Sequence, residues 1–166
     1  SGFKTDLWAM PVARPYNPNA RRIAEIVQAD FAEIGVEAEI VSYDWGTYLK
    51  RQREQPEDMD LFQLGWTGDN GDPDNFLAVL FDGLASSSVR TQWHNEAYHE
   101  LMLKGKQTVD QAQRTKIYED ALQLLFDECP VIPVAHSTVI WPALKNVQNF
   151  KLHPTGSVRM KNVSLK

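Results

Sequence analysis

Three carboxylates, one indole and three glycines fall within eleven residues, Gly65-Trp66-Thr67-Gly68-Asp69-Asn70-Gly71-Asp72-Pro73-Asp74-Asn75, with no basic residue among them. Glycines at this density permit tight turns or close approach of the backbone to a ligand. A carboxylate beside an aromatic face suits a cation such as an ammonium group. Asp72 precedes Pro73 and reads as a helix N-cap with proline at the first helical position. Asp69 has no capping duty. It is either a turn aspartate bonded to its own backbone or a carboxylate aimed at a ligand ammonium. Trp66 is correspondingly a core residue or the wall of that site. A second charged loop contains Ala13-Arg14-Pro15-Tyr16. Arg14 is either solvated or placed to grip a carboxylate through its planar, two-pronged guanidinium. Together, Arg14 and Asp69 would read both charged ends of a zwitterion.

Other chemistries find little support. His94, His99, His136 and His153 show no His-x-x-x-His spacing, which argues against zinc. No Gly-x-Ser-x-Gly elbow or phosphate-loop lysine is present. A calcium loop counted from Asp69 places Leu80 where a bidentate Glu is needed and Asp74 where Gly is needed. Paired-carboxylate glycosidase chemistry has no geometric support. Cys129 is the sole cysteine, so no internal disulfide can form, and it is expected to be a packed thiol. A net charge of −5 and a pI near 5.3 disfavour nucleic acid and anionic membranes as partners. No run approaches the ~20 apolar residues that span a bilayer.

The elements that must position these residues follow from periodicity. The 166 residues, 43% hydrophobic and 23% charged, suit one globular domain. Strands are expected over 4–10, 36–43, 59–66 and 131–140, with short ones near 147–152 and 161–165. Ala20, Ile23, Val27, Phe31 and Ile34 mark one face of a helix ended by Gly35, with Asn17-Pro18 as its expected start. Further helices are expected over 44–53, from Asp72-Pro73 through Leu80, near 95–105 and over 109–128. Residues 83–92 read as a loop. The order βαβαβαααβ implies an α/β layer structure with parallel pairing among the early strands. Ligands of such sheets bind beyond the carboxyl ends of strands. Arg14 and Asp69 both follow strands, so one cleft could hold both.

Longer stretches carry a resemblance. Leu7-Trp8-Ala9-Met10-Pro11-Val12, Arg14-Pro15-Tyr16-Asn17-Pro18-Asn19-Ala20-Arg21-Arg22 and Tyr43-Asp44-Trp45-Gly46 with Tyr48-Leu49-Lys50-Arg51 are similar to the dipeptide-binding proteins of bacterial ABC importers. The Gly65–Phe76 loop and Ala135-His136-Ser137-Thr138-Val139 extend the likeness along the whole chain. The resemblance implies an α/β fold, part of one lobe of a two-lobed, type II periplasmic-binding-protein-like architecture with a mixed sheet flanked by helices. Residues 1–137 would belong to the C-terminal ligand-binding lobe. Residues 138–166 would cross the hinge and return toward the N-terminal lobe, since family members are much longer. It further implies that Asp69 holds a peptide α-ammonium and Arg14 its α-carboxylate. Tyr16 and Trp66 would lie beside the peptide, and Thr67 and Gly68 would offer backbone contacts.

The implied protein is not an enzyme and needs no cofactor or metal. Its implied partners are a dipeptide, an ABC-importer permease and the N-terminal lobe. It would work in the periplasm or outside the cytoplasm, after loss of a signal peptide carried by the precursor. Similar folds take longer oligopeptides, nickel or haem, which stay open as alternatives, and a peptide hydrolase is a more distant one. The segment from Asp82 to Trp93 lacks the cysteine pair found in some relatives, and Gln55–Asp58 is slightly longer than in close relatives.

Overall fold

The computed structural model describes residues 2–85 and 91–166; the loop expected over 83–92 therefore lies partly outside the described residues. Strand β1 (Phe3–Trp8) is central, flanked by β2 (Val36–Val41) on one side and β3 (Leu61–Phe62) on the other. All pairings in this sheet are parallel, with Phe3 opposite Val36 and Trp8 opposite Phe62. The strand expected over 59–66 shrinks to two residues for a local reason. One Asp60 carboxylate oxygen accepts the Asp6 N–H and the Thr5 hydroxyl, each at 3.1 Å, so a side chain takes the place of the ladder there.

Helix α1 (Ala20–Glu33) connects β1 to β2, and its buried Ala20 and Ala24 let it lie close to the sheet. Its cap is Asn19, whose side chain accepts the Arg22 N–H, so the start lies two residues beyond the expected Asn17-Pro18. Asn17 is instead engaged in a backbone bridge to Arg14. Gly35, at φ +83°, closes α1 as its position implies. Helix α2 (Trp45–Glu54) is capped by Asp44, which accepts the Thr47 N–H. A 3-10 turn, Pro56–Asp58, leads into β3.

Beyond the sheet, α3 (Asp74–Phe81), α4 (Glu96–Gln107) and α5 (Gln111–Glu128) pack around Leu77, Tyr98, Met102, Tyr118, Ala121 and Leu125. Trp8, Met10, Tyr48 and Met59 form the core under one end of the sheet, and Leu7, Ala9, Ala24 and Ala38 a third cluster. Cys129 is exposed and left-handed at φ +48°, the C-cap of α5, not the expected packed thiol. The strand expected over 131–140 does not form. Its β-branched residues are present, but among the described residues no neighbouring strand offers a ladder, and a strand without one leaves its backbone groups unpaired. The last elements, β4 (Val147–Gln148) and β5 (Ser164–Leu165), make a separate antiparallel ribbon. Among the described residues no helix is long and apolar enough to cross a membrane.

Candidate functional site

Because β1, β2 and β3 run parallel, the segments after them leave from one edge of the sheet. These carry Arg14 and Tyr16, then Tyr43 and Trp45, then the 65–75 loop. Tyr48 secures that edge from below: its buried hydroxyl lies 3.1 Å from the Trp8 carbonyl and 2.7 Å from the Gln63 carbonyl, at the ends of β1 and β3. Burial pushes its phenol up, so it stays a neutral donor at any physiological pH.

The loops of β1 and β3 touch through Tyr16. A Cβ placed on Gly65 would fall 2.3 Å from the Tyr16 ring, so only glycine permits this contact. Burial raises the Tyr16 phenol, and the positive charge of Arg14 opposes that shift. Arg14 lies over the Trp45 ring, 4.7 Å from its centroid, which fixes the guanidinium on an aromatic face. Its backbone is tied to Asn17 by two 2.9 Å hydrogen bonds. Among the described residues Arg14 forms no ion pair.

The three carboxylates of the loop meet different fates. Asp72 receives both terminal nitrogens of Arg114 from α5, each at 2.8 Å, and also accepts the Asp74 N–H at 2.9 Å. The Arg114 hydrogen bonds hold the Asp72 carboxyl below the usual range. Arg114 is itself oriented by the Gly105 carbonyl at 2.8 Å and the Tyr118 hydroxyl at 3.0 Å. Lys106 of α4 stands 3.6 Å from Asp74, an ion pair longer than a hydrogen bond. Asp69 is exposed and has no cation partner among the described residues. The absence of basic residues within the loop thus misleads for two of its carboxylates, whose counter-charges come from helices 32 and 42 positions away.

Asp72 does more than the capping expected of it. Its oxygen takes the Asp74 N–H from just outside the helix, while Pro73 stands at the cap position, and its main engagement is the fork with Arg114. Trp66 is half-buried and gives its indole N–H to Asn75. Gly68 is required by packing, since a Cβ there would meet the Phe76 ring at 2.4 Å. Thr67 is exposed, and neither Thr67 nor Gly68 makes a backbone hydrogen bond to another described residue. The six expected site residues therefore share one edge of the sheet. Arg14 and Tyr16 form one half, Trp66 to Asp69 the other, and the Tyr16–Gly65 contact joins them.

Two contributors carried no sequence signal as site residues. Asn75 lies in the same acidic loop, but its bonds to both Trp66 and Asp69 become visible only when the loop is folded. Trp45 underlies Arg14 from an element thirty residues away. Two hollows of about 510 and 590 Å³ lie elsewhere, lined by Lys4, Asp6 and Gln28 in one case and by Leu101 and Leu103 in the other. Ser137 reaches the Arg14–Asp69 edge from the far end of the chain, its hydroxyl donating to the Pro15 carbonyl.

With this geometry in place, comparisons with known proteins become informative. Residues 2–88 match the family described as bacterial extracellular solute-binding proteins, family 5 Middle. The chain is 46% identical over 166 residues to a dipeptide-binding protein of Escherichia coli, covering 99% of this chain but only 31% of that relative. Among solved structures, HbpA2 from Haemophilus parasuis superposes with a TM-score of 0.85 at 40% identity, covering 99% of this chain and 32% of that one. A dipeptide-binding protein from Pseudoalteromonas in complex with Met-Leu superposes with a TM-score of 0.82 at 35% identity, again over 99% of this chain and 32% of the other. The chain thus spans about a third of the length of the proteins it resembles.

Proposed function

The chain belongs to family 5 of the bacterial extracellular solute-binding proteins, and from that membership we propose that it forms one wall of a binding site for the charged termini of dipeptides destined for ABC-importer uptake. One observation carries the reading. Of three carboxylates in the site loop, Asp72 pairs with Arg114 and Asp74 with Lys106, and Asp69 alone has no cation partner among the described residues. On the adjoining loop stands Arg14, a cation without a carboxylate partner among the described residues and set on Trp45. A zwitterion laid between them satisfies both.

In this reading Asp69 accepts hydrogen bonds from the peptide α-ammonium and Arg14 forks onto the α-carboxylate. The open backbone of Thr67 and Gly68 pairs with the peptide main chain, while Trp66 and Tyr16 line its side. Such charge-assisted contacts fix the termini and ask little of the side chains beyond space. Each added residue lengthens an extended peptide by at most ~3.6 Å, which carries its carboxylate beyond a guanidinium set for a dipeptide. The exposure of Thr67 and Asp69 supports a second wall: residues 1–137 act as part of the ligand-binding lobe, and 138–166 cross toward an N-terminal lobe that closes on the peptide. The same reading places the protein in the periplasm or outside the cytoplasm, delivering its peptide to a membrane permease. The relative solved with Met-Leu supports this substrate class.

The test is calorimetry on the full-length two-lobed protein. Replacing Asp69 by Ala removes one partner of a desolvated charge pair and should cost about 2–5 kcal/mol of binding to a dipeptide with a free amine. Unchanged affinity overturns the assignment of Asp69. Thermal-shift screening of the same protein against dipeptides, tripeptides, free amino acids, nickel and haem identifies the solute, because a ligand that binds the native state raises its midpoint.

A further inference from the structure

The geometry points to Asn75 as a positioning residue that holds the ammonium anchor and the aromatic wall as a single unit; this rests on the reading of Asp69 given above. Asn75 occupies the second position of α3, a helix rooted in the core by Leu77 and Ala78. Its side-chain oxygen accepts the Asp69 backbone N–H at 2.8 Å and the Trp66 indole N–H at 3.1 Å. Its side-chain nitrogen lies 3.4 Å from Asp69 Oδ2 and donates to it. The amide has only one consistent orientation. Two donors claim its oxygen and a carboxylate claims its nitrogen, so a flipped amide would lose all three contacts.

The consequence is a division of labour within Asp69. Asn75 engages Oδ2, and no described residue hydrogen-bonds to Oδ1, which stays free for a cation. Asp69 is otherwise exposed on a loop with glycines at 68 and 71, a setting in which a carboxylate would sample many orientations. A side chain ordered before binding spares the ordering cost at binding. Nearby Asp72 is held by the Arg114 fork and in turn accepts the Asp74 N–H, so the start of α3 gives the amide a fixed base from which to act. Asn75 touches no ligand in this arrangement; it acts through Asp69 and Trp66.

The experiment is a double-mutant cycle in the full-length protein, using wild type, Asn75→Ala, Asp69→Ala and the double variant. Each is titrated with a dipeptide and with the same dipeptide N-acetylated, the weaker ligand measured by competition. Asn75→Ala should reduce the preference for the free amine about tenfold, and should change that preference less than twofold once Asp69 is already Ala. Equal losses for both ligands, or the same loss in the Asp69→Ala background, assign Asn75 a merely structural role and overturn the inference. An unchanged preference in Asp69→Ala alone overturns the ammonium reading instead, so the two failures are distinguishable. If Asn75→Ala does not fold, Asn75→Ser serves, since its hydroxyl suits a helix start yet is too short to bridge Trp66 and Asp69.

Discussion

Residues 2–128 and residues 131–166 are both supplied with large apolar side chains, but they use them differently. In the first stretch Trp8, Tyr48, Tyr98 and Met102 are essentially inaccessible; two clusters join the sheet to its helices and a third packs α3, α4 and α5 together. In the second no residue is buried, and Ile132, Val134, Ile140, Leu144 and Leu165 are mostly open to solvent. Hydrophobicity therefore does not decide which part of this chain is packed; the presence of an opposing surface does. The site loop repeats the contrast on a small scale. Asp72 is paired within its own fold, and Asp69 has no cation partner among the described residues.

The sharpest way to break this contrast is to cut matching tryptophans from the two stretches. Trp8→Ala should cost about 3–5 kcal/mol of stability, as expected when a large aromatic leaves a packed core. Trp141, 47% exposed and with its ring centroid 6.1 Å from that of Phe150, should give less than about 0.5 kcal/mol when changed to Ala. Urea unfolding followed by circular dichroism measures both. Equal costs would mean that the last 36 residues are packed after all.

The same contrast explains what the sequence disclosed. The α1 stripe from Ala20 to Ile34, the Asp44 cap and the Gly35 stop are local signals, each read within one or two turns, and each is met in the fold. The edge-of-sheet location of Arg14 and Asp69 was equally legible, because parallel pairing follows from alternating strands and helices. Val131–Ile140 forms no strand because β-branched composition says nothing about whether a neighbour exists to complete a ladder. The partners of Asp72 and Asp74 were illegible for a related reason. Arg114 and Lys106 arrive through the packing of α4 and α5, which no spacing within the loop encodes.

A smaller effect sharpens the contrast within the site loop. Asp72→Asn should destabilise the fold by about 1–3 kcal/mol, since it breaks a forked, charge-assisted contact and leaves Arg114 without its carboxylate. Because the folded carboxyl is held below its unfolded value, its contribution is complete above the unfolded pKa of about 3.9 and is lost as pH falls through the folded value. The gap between wild type and Asp72→Asn should accordingly stay constant from about pH 5 to 7 and close below about pH 4. Urea midpoints across that range would show it. A gap independent of pH would remove the ion pair from the account.

The smallest expected change is the one that isolates function from folding. Among the described residues Asp69 forms no ion pair, and its one side-chain hydrogen bond is the 3.4 Å bond from Asn75. Its replacement by Ala should shift stability by less than about 0.5 kcal/mol, the range for exposed positions. Asp72 and Asp69 stand three residues apart and would then differ severalfold in their cost to folding, with the order reversed for ligand affinity. That reversal follows only if the loop reserves one carboxylate for an external cation. If Asp69→Ala instead destabilised the fold as strongly as Asp72→Asn, Asp69 would be a structural residue and the open charge on this edge would be only a stage in forming the loop.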